Sequence, residues 1–324
     1  MPLDAADLAR VRFAHSPLQE AVESLAVLAD TTAGPYHRWA SKVTPGLAAL
    51  RLPMLRALSR HRSYWPDFLF PAPERLGTSF GTELERMRAT PTDALRADLD
   101  KVHANQPLAP ALLRCYDAPE RALGALADEL TAYWATCIEP IWPRLRALVD
   151  ADLSYRAAGL TAGGFVRLLG DLHPRLDYGE GALRVHTPRW DYRTERRGAG
   201  LLLVPCVFAS NRVLVTNADS QPMVSYGPRG LGALWSRPAT TRMAPLANLL
   251  GRSRAVLLAH TDLPMSTTQL AAMLGLTAAA VSQHLSVLHK SGLVTRQRSG
   301  RAVLYQRTPL ATQLIADPPP TDLP

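Results

Sequence analysis

Cysteine is scarce in this 324-residue chain: Cys115, Cys137 and Cys206 stand far apart, with no Cys-x-x-Cys pair and no histidine at ligand spacing. Three isolated cysteines make neither a disulfide framework nor a thiolate metal site, and reduced, buried thiols are expected. Long apolar runs are absent as well. No stretch approaches the ~20 residues a helix needs to cross a bilayer, and the longest candidate, Leu201 to Ala209, is broken by Pro205 and reads as a buried strand. Met1 to Arg10 carries Asp4 and Asp7 and no apolar core. A signal peptide is therefore not expected, and the chain is expected in the cytoplasm. Phosphate-binding signatures are missing too: Gly163-Gly164 lacks the glycine spacing that cradles phosphates. His15, His37, His61, His103, His173 and His186 are scattered without a ligand-spaced pair. No metal, cofactor or enzymatic activity is expected, and no internal repeat is visible.

One absence is local. Between Ser236 and Ala316, nine Lys and Arg face the single acid Asp262, and Glu is missing altogether. The whole chain carries a net charge of +8. Residues 1–235 hold 27 bases against 25 acids, and the tail adds only Asp317 and Asp322, so the excess sits in this one segment. A compact basic module on a near-neutral body is the charge pattern of a polyanion-binding protein.

At roughly 100–200 residues per domain, the length predicts two domains. The first part reads as helices followed by strands. Val11 to Ala14 is extended, and Ser16-Pro17 opens a helix whose Val22, Leu25, Leu28 and Ala29 recur at helical spacing. Further helices are predicted over Pro35–Arg60 with a break near Pro45 or Pro53, over Gly81–Met87, over Thr92–Val102, over Pro119–Ala158 interrupted by Pro140 and Pro143, and over Ala162–Leu169. Strands follow at Arg175–Tyr178, Ala182–His186, Asp191–Glu195, Leu201–Phe208, Arg212–Thr216 and Met223–Tyr226, separated by turn residues. This is an α+β pattern with a mostly antiparallel sheet. Tyr133, Trp134 and Trp142 recur like one aromatic face, which either packs in a core or lines a cavity for a small-molecule effector. Arg193, Arg196 and Arg197 make a basic spot at a turn. Ser236 to Thr241 is the expected linker.

The basic segment is more specific. Leu246 to His260 is helical, divided at Gly251. Ser266-Thr267-Thr268-Gln269 is a capping box, in which the Ser hydroxyl accepts from the backbone of residue 269 and Gln reaches back. The short helix it opens turns Leu270, Ala271 and Leu274 inward and stops at Gly275, with Leu276 plugging the turn. Thr277 caps a second helix running to Lys290. At 100° per residue, Val281, Leu285 and Leu288 form its buried stripe, while Ala279, Gln283, Ser286 and Lys290 fall opposite, flanked by Ser282. That outward face is small, polar and free of acid, so it can sit deep in a major groove and hydrogen-bond base edges. Thr295–Arg298 and Ala302–Arg307 form a hairpin with Ser299-Gly300 at its tip, ringed by Arg296, Arg298 and Arg301. Arginines there can lie along phosphates or enter the minor groove. Helix, glycine turn, helix and basic hairpin together are a winged helix-turn-helix.

Ser266-Thr267-Thr268-Gln269-Leu270-Ala271, Val281 to Leu288, Ser291-Gly292-Leu293-Val294 and Gly300 to Tyr305 resemble the ArsR/SmtB-type bacterial regulators over about Leu246 to Pro309. The resemblance implies a dimeric repressor on a palindromic double-stranded DNA operator, with Ser282 and Gln283 at the bases. Metal-sensing members carry cysteines in the first helix of the motif. Ser266 to Gly275 has no Cys, His or acid, so metal sensing there is not expected. The long terminal helix that often dimerises such proteins is not expected either.

The reading is therefore an α+β N-terminal domain over 1–235, for dimerisation or sensing, a winged helix-turn-helix over 236–316 and a disordered tail over 317–324. The candidate DNA contacts are Ser266, Thr267 and Thr268 on the first helix of the motif, Thr277, Ala279, Ser282, Gln283, Ser286 and Lys290 on the second, and Arg296, Arg298 and Arg301 on the wing. The protein is expected to be a cytoplasmic homodimer, on the nucleoid when bound. The alternatives are an enzyme or a protein-interaction module with an auxiliary winged helix.

Overall fold

The computed structural model describes residues 1–29, 35–60, 65–105, 107–186, 199–209, 213–217, 221–231, 234, 240–299 and 302–315. The strand expected at Asp191–Glu195, the arginines Arg193, Arg196 and Arg197, Arg301 at the wing tip and the tail 317–324 lie outside the described residues, as does most of the linker expected at Ser236–Thr241. The chain divides into two compact units, one of Met1–Ile141 with Gly159–Gly227 and the other of Trp142–Ala158 with Pro228–Pro324.

The first unit begins with α1 (Ala5–Ala9), β1 (Arg12–Phe13), α2 (Pro17–Ala29), α3 (His37–Ala49), α4 (Pro53–Arg60), α5 (Phe80–Arg88), α6 (Thr92–Asn105), α7 (Pro110–Asp117) and α8 (Pro119–Tyr133). Prolines punctuate it as their chemistry requires. Pro53 opens α4, and Pro110 and Pro119 stand in the first turns of α7 and α8, where a missing N–H is an orphan anyway. Pro45 stays inside α3 and does not end it. After α8 the helix widens into a π turn over Trp134–Ile138 and then tightens into a 3-10 turn over Glu139–Ile141, and α9 (Trp142–Gly170) starts with Pro143 in its first turn. The helix α7 was not anticipated; its eight residues are too few for a clear period, yet they bury Leu112 and Cys115.

The sheet strands are β2 (Leu176–Gly179), β3 (Ala182–Val185), β4 (Leu202–Pro205), β5 (Leu214–Asn217) and β6 (Pro222–Tyr226). The α+β class holds, with one correction: the main sheet, ordered β1-β4-β6-β5, is mixed. Its β1–β4 and β4–β6 pairs are parallel, and only β5–β6 is antiparallel. Sequence neighbours still pair antiparallel, as in β5–β6 and the separate β2–β3 hairpin. Strands distant in sequence are not bound by a turn, and β4 and β6, buried along their whole length, have the two covered faces that parallel pairing needs.

At the centre lies α2, buried from Pro17 to Leu25. Its polar residues hold loops in place. The Glu20 carboxylate accepts from the Val207 N–H at 2.8 Å and the Phe208 N–H at 3.2 Å, and lies 3.2 Å from His15 Nε2. Glu83, on α5, accepts from the Leu18 N–H at 2.9 Å and Ser16 Oγ at 2.8 Å. Burial outweighs those two bonds and pushes the Glu83 carboxyl up to about 8. Cys206 donates to Glu20 at 3.3 Å. Burial, then the charges of Glu20 and Glu23, raise its thiol well above the ordinary range, which is the opposite of an activated nucleophile. Tyr133 is fully buried with its hydroxyl 2.6 Å from Ser24 Oγ, and Trp134 stacks on Phe80 at 4.4 Å, so these two aromatics pack in the core.

The second unit joins Trp142–Ala158 of α9 to α10 (Thr240–Leu250), α11 (Arg252–Ala259), β7 (Met265–Ser266), α12 (Thr267–Leu274), α13 (Ala278–Lys290), β8 (Val294–Ser299), β9 (Ala302–Arg307) and α14 (Pro309–Ile315). Leu145, Leu148, Val149 and Ala151 of α9 are buried. Arg144 Nη2 donates to the Leu234 carbonyl at 2.8 Å. Asp152 accepts from the Arg229 N–H at 3.0 Å and pairs with the buried Arg156 at 2.9 Å, while the Arg229 guanidinium lies 4.4 Å from the Tyr155 ring centre. Gly230 has φ +81°, and a Cβ there would stand 3.2 Å from methyls of both Leu148 and Leu263. The unit is thus discontinuous in sequence: a helix placed by the linear reading in the first domain builds the second.

Candidate nucleic-acid interface

Local hydrogen bonds set the frame of the motif. Ser266 Oγ accepts from the Gln269 N–H at 3.2 Å, and Gln269 Oε1 accepts from the Ser266 N–H at 2.7 Å, closing the capping box of α12. Gly275 ends that helix at φ 68°, ψ 33°, a left-handed conformation that costs an L side chain strain. The Leu276 N–H donates to the Ala271 carbonyl at 3.0 Å and closes the turn. The Leu276 side chain does not plug it, being 42% exposed. On α12, Leu270 and Ala271 are buried as expected, but Met273 takes the third inward position and Leu274 is half-buried. Thr277 Oγ1 accepts from the Ala280 N–H at 3.2 Å and starts α13. The helices α12 and α13 turn by 116° on each other, within the range of helix-turn-helix pairs. No single helix among the described residues is long and apolar enough to cross a membrane.

Val281, Leu285 and Leu288 are buried and anchor α13. Thr277, Ala279, Ser282, Gln283, Ser286 and Lys290 are all exposed. Thr268 is exposed at the start of α12, whereas Thr267 and Ser266 are half-buried and the Ser266 hydroxyl is engaged as the cap. The wing strands β8 and β9 pair antiparallel, with β7 on the far side of β9 in the order β7-β9-β8. Arg296 stands opposite Tyr305 and Arg298 opposite Val303, so the two arginines, both exposed, rise from one face of β8. Arg301 lies outside the described residues.

Two features escaped the sequence reading. His289 Nδ1 lies 3.0 Å from the Val294 carbonyl oxygen, joining the last turn of α13 to the first residue of β8. Val287 is 37% exposed on the other flank of α13. A histidine beside Lys290 at a helix end was a visible signal for the first; nothing local marked the second. Behind this surface His260 is buried, and burial holds its imidazole below the ordinary range, with Arg144 acting in the same direction and Asp262 against it.

Residues 256–296 match the family model described as bacterial regulatory protein, arsR family. That span runs from α11 through both helices of the motif into β8. No curated protein and no solved structure matches the chain. Residues 256–296 are an ArsR-type helix-turn-helix.

Proposed function

We propose, from the ArsR-type helix-turn-helix as premise, that the chain is a transcriptional regulator that reads double-stranded DNA with α13 and grips the phosphate backbone with the wing. One observation carries the reading. The buried stripe of α13 fixes a solvent-facing surface of Ala279, Ser282, Gln283, Ser286 and Lys290 that holds no acid, in the segment that bears the chain's whole excess of positive charge. Small side chains let the helix enter a major groove, and Gln283 offers the paired donor and acceptor that match adenine. Arg296 and Arg298 supply charge to phosphate without reading sequence. The segment expected at the tip, including Arg301, would extend that contact.

A homodimer on a palindromic operator is the assembly this geometry favours. Leu249 on α10 is 74% exposed, and Leu310 and Leu314, one turn apart on the adjoining α14, are 55% and 45% exposed. Large apolar side chains grouped so at a surface favour a second copy as their cover. Replacing Leu310 and Leu314 together by Glu should convert the dimer to monomer in sedimentation analysis. In this reading the first unit dimerises, senses a signal or does both, and repression follows from occupying the operator.

The test is selection of bound duplexes from a random pool. The native chain should return a two-fold-symmetric consensus. Gln283→Ala should relax preference at one base step, a loss of about 1–3 kcal/mol there, with the rest of the consensus kept. A pool that returns no consensus would rule out base readout by α13.

A further inference from the structure

The helix in the groove and the wing on the backbone must meet one duplex together, and the joint between them is short. From the end of α13 at Lys290 the chain turns through Ser291 and Gly292, the latter at φ +69°, and β8 starts at Val294. Backbone bonds close the turn: the Leu293 N–H donates to the Leu288 carbonyl at 2.9 Å and the Gly292 N–H to the His289 carbonyl at 3.0 Å. Thr308 holds it from beyond β9, its N–H donating to the Leu293 carbonyl and its hydroxyl to the Gly292 carbonyl, each at 3.0 Å. These bonds end at Leu293. The next residue, Val294, is the first of an edge strand, and its carbonyl is taken by the side chain of His289 at 3.0 Å. A carbonyl only accepts, so the imidazole there is an Nδ1–H donor. Two and four residues further along the same strand stand Arg296 and Arg298.

We propose that His289 is a positioning residue for DNA binding. Its bond to Val294 fixes the direction in which β8 leaves α13, and so sets Arg296 and Arg298 on the backbone of the duplex that α13 enters. The inference rests on the DNA-binding reading above. At 100° per residue, His289 lies about 90° from the centre of the outward face of α13, and its ring is engaged with the Val294 carbonyl. Its effect is therefore expected through the wing and not through a base.

The test is a salt titration of binding to a mixed-sequence duplex. His289→Ala should lower the slope of log affinity against log salt by up to about two, one for each wing arginine it places, while the unfolding midpoint stays near native. His289→Asn carries its N–H donor on the same branch as imidazole Nδ1 and should restore the slope. His289→Gln carries its donor one bond further out and should not. In a chain already bearing Arg296→Ala and Arg298→Ala, His289→Ala should change nothing more. A native slope in His289→Ala, rescue by Gln as complete as by Asn, or further loss in the wing-depleted chain would each overturn the inference. A native chain that ignores the duplex at low salt would overturn the DNA-binding reading itself, and this is told apart because it needs no variant.

Discussion

Glu83 shows what a single buried carboxyl does to a fold. It is fully buried, it caps the start of α2 through the Leu18 N–H, and its carboxyl is raised from the ordinary 4.5 to about 8. A folded-state value above the unfolded one lends stability that is complete below about 4.5 and lost as pH rises through about 8. Between those limits the loss runs at ~1.4 kcal/mol per pH unit. Glu83→Gln keeps an acceptor for Ser16 and Leu18 and has no proton to lose. Relative to the native chain, it should gain stability across that window, read as a widening difference in denaturation midpoint. Nothing near Glu83 in the sequence announces this role, since its partners lie 65 and 67 residues away. Ser266 and Gln269 are the contrasting case: both halves of the capping box fall within four residues, so the chemistry is legible without a structure. Leu276 marks the limit of such local reading, because its backbone makes the predicted turn while its side chain stays outside.

At the scale of elements, the motif is written in short-range terms. A stripe at helical spacing places α13, and a glycine in the left-handed region separates it from α12. Gly275 has open space around its missing Cβ, so Gly275→Ala suffers the backbone cost alone, ~1–2 kcal/mol. Gly275→Asn should cost less, because asparagine tolerates that conformation better, and chemical denaturation of the two variants compares them directly. Strand direction is the opposite kind of property. The sequence marks β1, β4 and β6 as strands, but nothing in a strand's own residues says whether a partner some 190 residues away runs parallel. The long α9 gave a third outcome. Two helices separated near residue 160 were expected, and the helical run does break into two, a few residues later, at a kink on Gly164 with φ 66° and ψ −168°.

At the scale of the molecule, the first half of α9 belongs with the winged helix. A boundary drawn from charge and linker composition falls at residue 235, because composition reports on segments and not on which distant segment packs against them. A fragment starting at Ser236 lacks the buried Leu145, Leu148 and Val149. It should unfold without a cooperative transition, where the full chain melts sharply. In the full chain, Leu148→Ala should cost about 2–5 kcal/mol by leaving a cavity beside Leu263, detected as an earlier melt of the second unit by tryptophan-independent probes such as backbone amide exchange in α13.

Whether this basic second unit holds a duplex is measured by equilibrium binding of the native chain to double-stranded DNA across ionic strength. The prediction is a linear fall of log affinity with log salt, with Arg298→Ala weakening binding to all sequences and reducing the slope by about one. Absence of binding at low ionic strength, or an affinity indifferent to salt and to Arg298→Ala, would contradict it.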